Sequence, residues 1–115
     1  KQAHGEARAD LADAANKLKA GQPKETASVL YDSLLDYLSD KSGCKVGGMT
    51  MKRTLALLKE KFPAAGEGAL DEIKDLWQQL EALHFSPGGA TQEEARDMLD
   101  KYTILLTRLE KEFRK

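Results

Sequence analysis

Apolar residues recur along this chain at intervals of three and four, the spacing that gathers them on one face of an α-helix. Five such stretches stand out, and no strand pattern accompanies them. The first runs over roughly 3–20, with Ala7, Leu11, Ala14, Ala15 and Leu18 on one face; Gly21, Gln22 and Pro23 stop it. The second, over roughly 24–41, carries a wide stripe of Ala27, Leu30, Tyr31, Leu34, Tyr37 and Leu38, extended to Lys41 and broadened by Leu35. A helix apolar over so much of its circumference belongs at the centre of a bundle. The third runs to about 61 with Met51, Leu55, Leu58 and Phe62. The fourth covers about 68–84 with Leu70, Ile73, Leu76, Trp77, Leu80 and Leu83. The fifth covers about 92–113 with Ala95, Met98, Leu99, Tyr102, Leu105, Leu106, Leu109 and Phe113. The pattern predicts an all-α, five-helix, bundle-like domain spanning residues 1–115 as one unit.

The segments between these stretches carry their own chemistry. "SGCKVGGM", residues 42–49, reads as a glycine-rich loop, and Thr50 after it is placed to cap the third helix. Pro63 and "AAGEG" break the chain again. In "LHFSPGGATQEEA", residues 83–95, Thr91 and Glu94 form a capping box for the last helix, while Pro87, Gly88 and Gly89 turn the chain. His84 is placed to offer a donor or positive charge to the carbonyls that end helix four. Turn chemistry requires no aromatic at Phe85, so a buried ring fixing the angle between the last two helices is expected there. Tyr31, Leu34, Trp77, Phe85 and Pro87 are thus the expected structural anchors. Residues 11–38 resemble one tetratricopeptide-type hairpin, through Leu11, Ala15, Leu18, Ala27, Tyr31 and Leu34, but no second copy follows and such solenoids need about three units.

Charge changes the picture in one region. The net charge of −1 argues against a protein built to neutralise nucleic-acid phosphates. Residues 63–100, however, hold nine acidic side chains against two basic, a balance of −7, whereas 46–62 and 101–115 each stand at +3. Glu93 and Glu94 suit the start of a helix. Asp71, Asp75 and Glu81 fall off the apolar stripe of helix four and are expected to face solvent as an acidic surface for a basic partner, with the field steering association.

Nothing in the chain converges on a reaction. Two histidines, His4 and His84, and one cysteine, Cys44, lie far apart in sequence and make no zinc-ligand pattern. Cys44 has Lys45 beside it but no base to activate the thiol. "GCKVGGMT" lacks both the register and the preceding strand of a phosphate-binding loop. Adjacent carboxylates such as Asp71 and Glu72 point in different directions on a helix. No catalytic residue, cofactor or metal is expected. No apolar run approaches the roughly 18–20 residues that span a bilayer, and residues 1–15 lack the apolar core of a secretory signal.

Taken in order, "ASVLYDSLLDYLSDK" (27–41), a glycine-containing loop, "MTMKRTLALLKEK" (49–61) and "LEALHFSPGGATQEEARDML" (80–99) resemble the C-terminal cytoplasmic domain of the BatD aerotolerance family. The likeness rests on Tyr31, Tyr37, Leu38 and Lys41, on Thr50, Leu55 and Leu58, and on Phe85, Ser86, Pro87, Glu94 and Ala95. The family commonly carries Arg before that Phe, where this chain has His84. The resemblance implies a non-enzymatic protein-interaction domain, cut from a longer membrane-anchored protein, on the cytoplasmic side of a bacterial inner membrane. Its implied partners are Bat-type membrane proteins with von Willebrand A domains and a MoxR-type AAA+ ATPase. Two other functions fit the residues alone: a stand-alone cytoplasmic regulator that binds a basic protein, and a structural tail that aids assembly.

Overall fold

The structure, a computed structural model, describes residues 2–45 and 50–113. They form five α-helices and, among the described residues, no strand. These are α1 (Gln2–Lys19), α2 (Pro23–Ser42), α3 (Met51–Lys61), α4 (Glu67–His84) and α5 (Gln92–Glu112). Every helix lies where the periodicity puts it, within a residue or two at each end.

The ends follow from local chemistry. Gly21 takes φ +75°, and the N–H groups of Gly21 and Gln22 return to the carbonyls of Leu18 and Lys17, which turns the chain out of α1. Pro23 then occupies the first turn of α2, where no N–H is needed. Thr50 accepts the Arg53 amide, and Thr91 and Glu94 form the reciprocal capping box at the head of α5. Of the glycine-rich stretch 42–49, Ser42 closes α2 and Gly43 caps it in the left-handed conformation; residues 46–49 lie outside the described residues.

The helices joined at α1–α2, α3–α4 and α4–α5 run antiparallel, whereas α3 ends beside the end of α2, with Lys61 next to Gly43. Along the α1–α2 hairpin, Thr26 Oγ1 donates to Ala14 O at 3.3 Å near the turn. The helix α5 lies against α1, tied by Arg8 to Glu110 at one end and by Gln92 Nε2 to Leu18 O at the other. It also lies against α2 and α4. Thus α2 sits centrally, touching all four other helices, as its wide stripe requires. One apolar cluster runs through all five helices, and Leu30, Leu34, Leu38, Ile73, Leu80, Leu106 and Leu109 are wholly buried within it. Each such side chain contributes about 1.5–3 kcal/mol by leaving water. The shorter α3 packs on α2 and α4, and its C-terminal Phe62 stacks on Phe113 at the end of α5, centroids 4.7 Å apart.

Among the described residues, four polar side chains enter this core: Thr26, Ser33, Ser42 and Thr54. None leaves a buried side-chain polar atom without a partner. Ser33 Oγ and Tyr102 Oη, from α2 and α5, share a buried hydrogen bond of 2.9 Å.

One expected anchor is corrected, the buried ring of Phe85, while Pro87 turns the chain as expected. Tyr31, Leu34 and Trp77 are buried, but the Phe85 ring is 66% exposed and Pro87 is exposed. The reason is the path of the backbone. Phe85 continues the helical hydrogen bonding of α4, which carries its side chain past the edge of the core stripe. Pro87 is the second residue of the turn Ser86–Gly89, closed by Gly89 N–H to Ser86 O at 3.1 Å. Proline's fixed φ suits that position without any burial. Phe85→Ala is therefore expected to move stability by no more than about 0.5 kcal/mol. Urea unfolding checks this, and a large loss would mean the ring is packed after all.

Candidate functional site

The outer face of α4 carries the candidate residues. Asp71, Asp75 and Glu81 are all exposed and make no ion pair among the described residues. Their charge is therefore available to a partner. The structure does not gather them into one patch, because helical spacing assigns them to two flanks. On the α5 side, Asp75 lines a groove with Glu72, Gln79, Lys101, Ile104 and Leu105. On the other side, Asp71 and Glu81 belong to the row that includes Lys74 and Gln78, which line a shallow groove against Met51, Lys52 and Leu55 of α3.

The α4–α5 groove is the more elaborated of the two. Ile104 stands in it 70% exposed. The cations of α5 are already engaged along its walls. Arg108 holds Glu72 at 2.8 Å, and Lys101 holds Gln79 at 3.0 Å and Asp97 at 3.4 Å. These contacts fix the walls and leave Asp75 as the carboxylate without a cation. Ile104 falls off the core row Tyr102, Leu105, Leu106 and Leu109, so its exposure was readable in the pattern. Its acidic neighbours from α4 were not, since they depend on which helices become adjacent.

A second feature lies where α4 ends against α2. His84 does not reach the helix-end carbonyls expected of it. Its ring stacks on Tyr31, centroids 4.6 Å apart, and its Nδ1 lies 3.3 Å from Ser28 Oγ. Phe85 meets both rings edge to face. Burial holds the Tyr31 hydroxyl above its ordinary pKa, and the negative fields of Glu81 and Asp32 add to that. This corner therefore combines aromatic surface with two carboxylates.

Reaction chemistry finds no comparable arrangement. Among the described residues no group of three His, Cys, Asp or Glu side chains could hold a metal ion. Cys44 is exposed and free. No described helix is long and apolar enough to cross a membrane. No protein-family model, curated protein or solved structure matches this chain. The fold defines the class, an all-α helical bundle.

Proposed function

We propose that the chain is a non-enzymatic protein-interaction domain whose α4 surface engages a basic protein. The supporting observation is the set of exposed carboxylates Asp71, Asp75 and Glu81, none of them neutralised by an ion pair among the described residues. The BatD-like order of the sequence blocks supplies the context for this reading. In it the chain is the cytoplasmic domain of a membrane-anchored protein at a bacterial inner membrane, with a tetratricopeptide-like N-terminal hairpin. Its partners are a Bat-type von Willebrand A-domain protein or the MoxR-type ATPase.

Exposed charges act mostly on the rate of encounter, and salt screens them. Asp71→Lys combined with Asp75→Lys is expected to slow association about tenfold at low ionic strength, within the range of electrostatic steering, and to matter little at high salt. Both residues are exposed, so the fold should survive. Surface-capture kinetics of the candidate partners against both proteins, at two salt concentrations, provide the check. Association indifferent to salt and to charge reversal would remove the acidic face from the mechanism.

A further inference from the structure

Phe85 and Ile104 are the large apolar side chains left exposed among the described residues, and their surroundings differ. Ile104 stands in a groove where Glu72 is held by Arg108, Lys101 is engaged by Gln79 and Asp97, and Asp75 alone has no cation among the described residues. Phe85 stands one helical turn from Glu81, which makes no ion pair among the described residues. The Phe85 N–H bonds to Glu81 O at 3.1 Å, so residues 81 and 85 are one helical turn apart. Side chains at that spacing project from the same flank, with Cβ atoms about 5–6 Å apart.

Beneath Phe85, the stacked Tyr31 and His84 rings form a support. Phe85 lies 4.6 Å from His84 at 86° and 5.9 Å from Tyr31 at 80°. A perpendicular contact engages a ring by its edge or by one face. Either way a face remains open, as the exposure of Phe85 requires. Asp32, from α2, adds a second carboxylate near Tyr31. Neither Asp32 nor Glu81 makes an ion pair among the described residues. The neighbouring cation Lys24 lays its aliphatic stem along Gly89.

An open aromatic face with a carboxylate on the same flank matches one kind of side chain closely. Arginine is planar, more weakly hydrated than lysine, stacks on aromatic faces and donates two parallel hydrogen bonds to a carboxylate. We propose that this corner receives an arginine of a basic partner segment, its guanidinium laid on Phe85 and its donors directed to Glu81. This deepens the interaction-domain reading above by naming the residue chemistry it accepts.

The test uses the whole chain and a synthetic amphipathic peptide with arginines one helical turn apart, followed by NMR of the Phe85 and His84 ring signals. Those signals should shift on titration. Replacing the peptide's arginines with lysine should weaken binding, and replacing them with glutamine should abolish it. Phe85→Ala should weaken binding about two- to fivefold, the worth of an exposed cation–π contact, and Phe85→Trp should restore it. Glu81→Gln should weaken binding and flatten its salt dependence. Ring signals unmoved by millimolar peptide, or equal affinity for wild type and Phe85→Ala, would overturn the proposal. If the Asp71→Lys, Asp75→Lys protein loses the peptide while Phe85→Ala keeps it, the acidic face stands and the arginine site falls. The reverse result separates them the other way.

Discussion

Replacing Phe113 with alanine is expected to lower the unfolding free energy by about 3–5 kcal/mol, the cost of removing a packed aromatic from a core. Phe113 closes α5 and is 1% exposed. Its ring lies nearly parallel to Phe62 at 22°, and Phe62 closes α3. The pair joins the ends of two helices from opposite parts of the sequence. The interaction between the rings should add about 0.5–1.5 kcal/mol beyond the area they bury. A Phe62→Ala, Phe113→Ala double variant should therefore lose less than the two single losses added together. Domains of this size have only about 5–15 kcal/mol in total, so Phe113→Ala should visibly shift the urea midpoint and raise the exchange rate of α3 amides. A midpoint equal to wild type would mean that the end of α5 frays and contributes little.

The helices were legible because two signals agree at each of them. In α5 the stripe from Ala95 to Phe113 repeats at helical spacing, and the Thr91–Glu94 box marks its start independently. In α2 the breadth of the stripe pointed to a central position, and α2 does touch the other four helices. The buried polar contacts were less legible. Ser33 reads as an interruption in the apolar face of α2, and only the approach of α5 supplies Tyr102 as its partner. Such a pairing depends on tertiary adjacency, which periodicity within one helix does not encode.

Phe85 shows the same limit at the surface. Its residue type suggested burial, but the continuing helical turn at the end of α4 sets its direction, and that direction is outward. The charges of Asp71, Asp75 and Glu81 were readable as solvent-facing from their places off the stripe. Their division between two flanks follows from the same spacing once α3 and α5 are known to lie on opposite sides of α4.

The buried tyrosines give the second large effect, a loss of stability in alkali. Tyr37 and Tyr102 both lie in the core, and burial is the main cause holding their hydroxyls well above the ordinary range. For Tyr102 the hydrogen bond from Ser33 opposes the shift, while the fields of Asp10 and Asp36 reinforce it. For Tyr37 the nearby Tyr102, Glu110 and Asp40 reinforce it, and Arg8 opposes it. A folded pKa above the unfolded one has a definite sign. Below about pH 10 both states hold the proton and the tyrosines impose no pH dependence. Above about pH 10 the unfolded chain releases protons that the folded chain retains, so stability falls as pH rises. The slope approaches about 1.4 kcal/mol per pH unit for each tyrosine, and about twice that for the pair. Urea unfolding measured from about pH 8 to about pH 12 should show the break, and Tyr37→Phe should roughly halve the slope above it. Tyr102→Phe should also reduce the slope, but it should lower stability at every pH by about 1–3 kcal/mol, because it leaves the buried Ser33 hydroxyl with one partner fewer. The offset and the slope therefore separate the hydrogen bond from the titration. A wild-type curve parallel to that of the double variant Tyr37→Phe, Tyr102→Phe would show that both hydroxyls ionise as readily in the folded chain as in the unfolded one.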